Sequence, residues 1–117
     1  MWIDDVRPAP EGYVWVKTVE SAIYEITRYN READWNWEQY ILGYVDRECF
    51  ERRNQLWSIE MISCDNDLGE NEVEGYKLLD WLEATNRNYP IRIHSANPVA
   101  RERMRAIIRR NGWKEIY

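Results

Sequence analysis

The chain has little of several residue types that mark particular protein classes. Its 117 residues include two cysteines, one histidine and one phenylalanine. Cys49 and Cys64 have no metal-ligand spacing and are too few for a disulfide framework, so we expect a reducing compartment. No apolar run is long enough to span a membrane, and the sequence starts on a strand pattern, so we expect a cytoplasmic protein with no membrane partner.

Positive charge is also scarce in one part of the chain and concentrated in another. The net charge of −5 argues against non-specific DNA binding, which depends on neutralising the phosphate backbone. Residues 60–83 carry eight acids against one lysine, whereas residues 101–117 carry five arginines and one lysine against two glutamates. The basic segment suits either a phosphate-bearing ligand or the solvated face of a helix. No feature of the sequence indicates an oligomeric state.

Periodicity and chain breakers predict the element order β-β-α-α-β-α-β-α-β. Five short apolar runs predict strands, at residues 1–5, 14–16, 57–64, 91–94 and 113–117. Spacings of three and four predict helices after Thr18, at about 75–86, and from Pro98 to a stop at Gly112. Alternating strands and helices predict one α/β domain over residues 1–117, with a mostly parallel five-stranded sheet covered on both faces.

The segment at about residues 30–56 is predicted to be a tryptophan-rich helical insertion. Residues 30–36 are polar and predict a loop, and Asn36 with Gln39 has the spacing of a capping box. The apolar stripe that follows favours an amphipathic helix over about residues 36–53. Gly43 and the β-prone residues around it leave a strand as the alternative.

Three of the predicted strands end in polar, charge-bearing side chains. These are Asp4 and Asp5 after the first strand, Asp65, Asn66 and Asp67 after the middle strand, and His94, Ser95 and Asn97 after the next. The carboxyl ends of parallel strands line one edge of an open α/β sheet, where ligands bind. If these strands are neighbours, their carboxylates converge and repel one another unless a cation or a shared proton neutralises them. Carboxylate oxygens suit Mg²⁺ or Mn²⁺, so the sequence predicts a metal or acid–base site.

Each of these candidates also has a plainer interpretation. Asp and Asn commonly form turns by bonding their own backbone, and a lone strand histidine such as His94 is often only a packed residue. Asn97 has the position of a helix cap, and Ser95 could bond a phosphate oxygen or hold the loop. Arg7 and Arg101 could each clamp a phosphate through two hydrogen bonds, beside a helix N-terminus that favours anions.

These motifs resemble the receiver domains of two-component signalling and, more specifically, the cyclic-phosphate-processing receiver domains. The stretches that carry the resemblance are Trp2-Ile3-Asp4-Asp5-Val6-Arg7-Pro8-Ala9-Pro10, Asp65-Asn66-Asp67-Leu68-Gly69 and Ile91-Arg92-Ile93-His94-Ser95-Ala96-Asn97-Pro98. It covers the N-terminus and about residues 57–112, and leaves the insertion unexplained. It implies a three-layer, receiver-like (flavodoxin-like) fold. Compact members of such families can be viral, which makes a phage one candidate source.

The resemblance implies a metal-dependent phosphoesterase-like domain that acts on a cyclic phosphate or nucleotide. The metal, Mg²⁺ or Mn²⁺, would be held by Asp4, Asp5 and Asp65. The catalytic set would be Asp65, Asn66, Asp67 and His94, with His94 protonating the leaving oxygen. The phosphate of the small ligand would be bound by Arg7, Ser95, Asn97 and Arg101.

The chain departs from the receiver pattern at three points. A proline loop at residues 7–12 stands where receivers have their first helix, and no lysine follows the last predicted strand. Asn66 stands where a histidine is expected in the cyclic-phosphate family. Two alternatives therefore stay open. One is a non-catalytic receiver-like module that binds a phosphate ligand or a protein partner through the insertion, and the other is a receiver that accepts a phosphoryl group on Asp65.

Overall fold

The computed structural model describes all residues from 1 to 117, and its elements follow the predicted order. The strands are β1 (Trp2–Ile3), β2 (Trp15–Val16), β3 (Ile62–Cys64), β4 (Ile91–Ile93) and β5 (Glu115–Ile116). The helices are α1 (Val19–Ile41), α2 (Arg47–Leu56), α3 (Tyr76–Ala84) and α4 (Pro98–Asn111).

The five strands form one sheet in the order β2-β1-β3-β4-β5, and every neighbouring pair is parallel. This is the strand order of flavodoxin-like folds, so the predicted receiver-like α/β architecture is confirmed. The strands β1, β3 and β4, which carry the three polar motifs, are direct neighbours. The three polar motifs therefore lie at the ends of neighbouring strands, as the predicted site requires.

The chain divides into two compact units, residues 1–23 with 60–117, and residues 24–59. The first unit holds the whole sheet with α3 and α4, which bury the apolar faces that the sequence predicts: Leu78, Leu79 and Leu82 on α3, and Ala100, Met104, Ile107 and Ile108 on α4. Asn97 caps α4 by accepting hydrogen bonds from the amides of Val99 and Ala100 at 3.1 and 3.2 Å. Gly112, at φ +67°, ends it in the left-handed region.

In the second unit, the predicted loop at residues 30–36 is wrong, because α1 continues through it. Asn36 is buried within this helix, and its Nδ2 donates to the carbonyl of Phe50 at 3.0 Å. That contact within the folded unit outweighs the modest helix propensity of asparagine. The break falls instead at Gly43, at φ +81°, and Asp46 caps α2 by accepting from the amide of Cys49 at 2.8 Å.

Other boundaries also differ from the prediction, since β1 and β5 are each two residues long where strands at 1–5 and 113–117 were predicted. The single helix expected over about residues 36–53 is the end of α1 and most of α2, and the alternative strand near Gly43 is not formed. The strand predicted at 57–64 contains only residues 62–64. Residues 5–14 between β1 and β2 form turns and extended chain. None of the four helices combines the length and the apolar character that crossing a membrane requires.

An ion pair joins α3 to α4 within the first unit. Arg110 donates through Nε and Nη2 to the two carboxylate oxygens of Glu83, each at 2.7 Å, and Asn111 also donates to that carboxylate. The bonds from Arg110, with that from Asn111, lower the pKa of Glu83 from 4.5 to about 2. The folded state therefore favours the ionised form of this carboxyl.

Replacing Glu83 by glutamine should reduce the loss of stability in acid. A carboxyl with a lowered folded-state pKa stabilises the fold above its unfolded pKa, and the contribution disappears as pH falls from 4.5 towards about 2. Urea unfolding should thus separate wild type from Glu83→Gln near neutral pH, and the two midpoints should converge in that acid range. Glu70→Gln, at an exposed acid, should follow the wild-type curve. A difference between the two unfolding midpoints that stays constant with pH would contradict this expectation.

Candidate functional site

Strand register brings three polar residues together at the carboxyl edge of the sheet. Trp2 pairs with Ser63, and Ser63 pairs with Arg92, across β1, β3 and β4. Side chains alternate along a strand, so the residues two positions later lie on the same face as these three. They are Asp4, Asp65 and His94, which we call the edge row.

The backbone ladder extends beyond the last strand residues to the edge row. The amide of Asp65 donates to the carbonyl of Ile3 at 2.9 Å, and the amide of His94 donates to the carbonyl of Cys64 at 3.1 Å. These bonds hold the three chains at strand spacing where the side chains turn polar. The site is therefore built on the sheet itself.

Asp4 is a buried carboxylate with a partner on each oxygen. It is 1% exposed, and its Oδ1 accepts from the amides of Val6 and Arg7 at 2.9 and 2.8 Å. Its Oδ2 lies 3.1 Å from Nε2 of His94. Burial raises the pKa of Asp4, but the amides of Arg7 and Val6 together with His94 outweigh it, so the pKa lies below its usual value. Asp4 is thus held as the anion.

The ring of His94 is fixed on both edges and on one face. Its Nδ1 lies 2.8 Å from Oγ of Ser63, and its Nε2 faces Asp4. Trp2 stacks on it with ring centroids 4.2 Å apart and planes 8° apart. Burial lowers the pKa of His94 despite the opposing pull of Asp4, so the ring is neutral near neutral pH. Both ring nitrogens are engaged within the protein.

Asp65 is the second carboxyl of the edge row. Its Oδ1 accepts from the amide of Asn66 at 2.8 Å. Burial raises its pKa above the usual value, the bond from Asn66 opposes that change, and the charge of Asp4 adds to it. Two carboxylates on neighbouring strands therefore repel each other, and a cation between them would relieve the repulsion.

Asn66 and Gly75 fix the loop that follows Asp65. Oδ1 of Asn66 accepts from the amide of Tyr76 at 3.1 Å, and its carbonyl accepts from the amide of Gly75 at 2.8 Å. A Cβ at Gly75 would lie 1.9 Å from the carbonyl oxygen of Asp65. The start of α3 can pack against Asp65 only because residue 75 has no side chain.

The edge row has the spacing of a metal-ligand set. One ligand atom from each of Asp4, Asp65 and His94 lies within 4.8 Å of the others, as ligands of one divalent cation at about 2.0–2.6 Å each would. Asp5, the third metal ligand predicted from sequence, lies outside this set. Its Oδ2 stands 3.3 Å from the position that a Cβ on Gly69 would take.

A cavity of about 520 Å³ opens beside the edge row. Its lining contains one base, Arg7, and six acids: Asp4, Asp5, Asp65, Asp67, Glu72 and Glu74. Six carboxylates against one guanidinium create a strongly negative surface, which attracts cations and repels anions. Residue types and geometry both fit a hard divalent cation.

The predicted phosphate-binding residues fall into two groups. Arg7 lines the cavity, and its Nη1 donates to the carbonyl of His94 at 3.3 Å. Ser95, Asn97 and Arg101 do not line it. The buried Oγ of Ser95 accepts from the amide of Asn97 at 3.2 Å, and Arg101 donates to the carbonyl of Ser95 at 3.0 Å. These three shape the loop before α4.

Four groups at the site were not singled out from sequence. Glu72 and Glu74 lie in the acidic segment, but nothing in that segment distinguishes the acids that line the cavity. Trp2 and Ser63 contact His94 directly. A polar serine between apolar neighbours in β3 was the available signal, and its partner could not be named before the register was known.

Comparison with known proteins adds one match. The family described as the cyclic-phosphate processing receiver domain matches residues 1–110. The match includes all three polar motifs and also the helices α1 and α2, which the motif resemblance leaves unexplained. No curated protein and no solved structure matches the chain significantly.

Proposed function

Since this chain belongs to the cyclic-phosphate processing receiver domain family, we propose that it is a metal-dependent phosphoesterase-like domain acting on a cyclic phosphate or nucleotide. One observation carries the proposal. Two carboxylates and an imidazole stand within 4.8 Å of one another at the sheet edge, next to a cavity large enough for a small ligand.

Asp4 and Asp65 would hold Mg²⁺ or Mn²⁺, with Asp5 reaching it from the rim of the same cavity. Bound there, such a cation supplies Lewis-acid polarisation of a phosphoryl oxygen and a more acidic water. The pKa values of the two carboxyls support this assignment. Asp4 is held ionised, and burial together with the charge of Asp4 raises the pKa of Asp65, so the pair lacks a neutralising charge. A cation stabilises the charged form of both.

The remaining cavity residues would handle the substrate. Arg7 is exposed on the rim and can bind phosphate oxygens through its guanidinium. Asp67, exposed and lining the cavity, would accept a proton from the attacking water. Asn66, Ser95, Asn97 and Arg101 would act indirectly, by holding the two loops that carry Asp65 and His94.

A nucleoside 2′,3′-cyclic phosphate should bind more tightly in the presence of a divalent cation. The cavity presents six carboxylates and one guanidinium, so a phosphate anion entering alone meets net repulsion. We expect its affinity to fall at least about tenfold when Mg²⁺ is removed, which corresponds to about 1.4 kcal/mol. Isothermal titration of EDTA-treated protein, with and without added Mg²⁺, measures this directly. Equal affinity in both conditions would count against a metal at the site.

Turnover is tested with a panel of 2′,3′-cyclic and 3′,5′-cyclic nucleotides, each with Mg²⁺, with Mn²⁺ and with neither. Metal-dependent hydrolysis of one substrate class, lost in an Arg7→Ala variant but retained with Arg109→Ala at an exposed arginine of α4, is the expected result. Tight binding of one nucleotide without hydrolysis of any would favour the second candidate instead.

That second candidate is a non-catalytic receiver-like module that binds a phosphate ligand or a protein partner. Asn66 supports it, because its side-chain oxygen is committed to the amide of Tyr76 and its amide group cannot act as an acid or base. The family resemblance places a histidine there. Replacing Asn66 by histidine therefore discriminates the two candidates, since a gain of hydrolysis identifies a metal site that lacks only a proton-transfer group.

A further inference from the structure

We infer that Ser63 is a positioning residue for this site: its hydroxyl holds the ring of His94 at Nδ1, and His94 in turn fixes the carboxylate of Asp4. The inference rests on the proposed function, because it concerns how a proposed metal ligand is oriented. It also assigns His94 a role other than direct protonation of a leaving oxygen.

The hydrogen-bond roles follow from the chemistry of the three groups. An ionised carboxylate only accepts, so the contact of 3.1 Å between Oδ2 of Asp4 and Nε2 of His94 requires the proton on Nε2. A neutral imidazole carries one N–H, which makes Nδ1 an acceptor. The hydroxyl of Ser63, 2.8 Å from Nδ1, therefore donates to it.

Burial makes this arrangement costly to break. Ser63 is 0% exposed, and a buried hydroxyl that loses its acceptor cannot turn to water instead. If His94 adopted the other tautomer, Oγ of Ser63 would accept from Nδ1–H and the hydroxyl proton would lose its acceptor, while an unprotonated Nε2 would face the carboxylate of Asp4. Ser63 and Asp4 therefore favour the same tautomer, in which Nδ1 accepts from Ser63 and Nε2 donates to Asp4.

Trp2 completes the support of the ring. It stacks on His94 at 4.2 Å, and its own Nε1 donates to the carbonyl of Arg7 at 2.9 Å. Trp2 and Ser63 are register partners on adjacent strands, so both supports come from rigid parts of the sheet. The ring cannot tilt away from Asp4 without disturbing β1 or β3.

The fixed ring of His94 in turn holds the carboxylate of Asp4 in one orientation. Its Oδ1 is occupied by two backbone amides, and its Oδ2 is held by His94. Such partners stop a ligating carboxylate from rotating and leave one defined lone pair for a cation. Ser63 thus acts on the metal site through two hydrogen bonds, without touching the cavity.

The test uses the fact that His94 is the only histidine in the chain. A long-range ¹H–¹⁵N spectrum of uniformly labelled protein at neutral pH therefore reports one imidazole, without assignment. Wild type should show the Nε2–H pattern, and Ser63→Ala should shift the Nδ1 resonance, because that nitrogen loses its hydrogen-bond donor. Mn²⁺ affinity, measured by electron paramagnetic resonance, should weaken about 3- to 10-fold in Ser63→Ala, as for loss of one supporting hydrogen bond.

Two further variants separate positioning from general loss of structure. Ser58→Ala makes the same chemical change at an exposed serine and should leave both spectrum and affinity unchanged. Ser63→Thr keeps the hydroxyl and should restore the wild-type Nδ1 resonance and most of the affinity. Thermal unfolding of each variant shows whether it is folded.

The outcomes distinguish this inference from the proposed function. An Nδ1–H tautomer in wild type, or wild-type Mn²⁺ affinity in Ser63→Ala, overturns the positioning role while the metal site stands. A wild type that binds no Mn²⁺ overturns the proposed function together with the inference. Rescue by Ser63→Thr after a loss in Ser63→Ala supports both.

Discussion

Replacing Asp65 by asparagine should abolish divalent-cation binding and, at the same time, stabilise the folded protein at neutral pH. Burial, with the charge of Asp4 adding to it, raises the pKa of Asp65 above 3.8 in spite of the bond from Asn66. A carboxyl of this kind stabilises the fold below its unfolded pKa, and that contribution is lost as pH rises through the folded pKa. Asparagine carries no charge to bury and keeps an oxygen for the amide of Asn66. The gain in stability over wild type should therefore appear above about pH 4.

The two effects are measured on the same samples. Mn²⁺ affinity should fall by at least about 100-fold, since a direct ligand outweighs the 10- to 100-fold typical of a supporting partner. Unfolding midpoints should be higher than wild type at neutral pH and should converge with it in acid. Glu70→Gln removes an exposed acid of the same loop and should change neither quantity. Retained Mn²⁺ binding in Asp65→Asn, or lower stability at neutral pH, would refute the assignment.

Replacing Gly75 by alanine should destabilise the protein by about 1–3 kcal/mol, the usual cost of forcing extra volume into a packed site. The backbone of Gly75, at φ −59° and ψ −30°, is ordinary helix, where alanine alone would be favourable by up to about 1 kcal/mol. The new Cβ would stand 1.9 Å from the carbonyl oxygen and 2.9 Å from the carbonyl carbon of Asp65. These are backbone atoms, so relief requires the loop that carries Asp65 to move.

Gly112→Ala is the matched control for this second experiment. Gly112 has φ +67° and nothing within 4 Å of an added Cβ, so alanine there costs about 1–2 kcal/mol through the backbone alone. Both variants should lower the unfolding midpoint in urea, but only Gly75→Ala should also weaken Mn²⁺ binding. A stabilised Gly75→Ala protein would show that the loop yields without cost.

The location of the candidate site was predictable because it depends on local rules. The apolar runs that end in Asp4, Asp65 and His94 predict strand ends. The alternation of strands with helices predicts a parallel sheet, in which the carboxyl ends of the strands lie at the same edge. The helix start at Asn97 and its stop at Gly112 were predictable for the same reason, since capping depends on residues close in sequence.

The helices of the second unit were predicted poorly because their determinants are distant in sequence. The polar stretch at 30–36 has the composition of a loop, and only the contact between Asn36 and the carbonyl of Phe50 explains a buried asparagine inside α1. A capping-box spacing at Asn36 is a chance match of the pattern. The break lies at Gly43, a residue that together with its β-prone neighbours also fits a strand.

The supporting residues of the site were beyond prediction for a different reason. Ser63 contacts His94, which is 31 positions away, and Gly75 is constrained by a carbonyl 10 positions before it in the chain. Neither constraint produces a periodic pattern in the sequence. The catalytic and binding roles of the sequence-derived residues stay predictions until the experiments above are done.

The adjacent aspartates at the end of β1 have a consequence for how the site tolerates change. A slip of β1 by one residue turns every side chain of that strand to the other face of the sheet, and at most strand ends it would replace a functional group by an apolar one. Here it would bring Asp5 to the place that Asp4 leaves, beside Asp65 and His94. The acid pair therefore allows Asp5 to replace Asp4 in the edge row after a one-residue deletion in β1. A single-residue deletion ahead of Asp4 should retain more cation binding than a single-residue deletion ahead of His94.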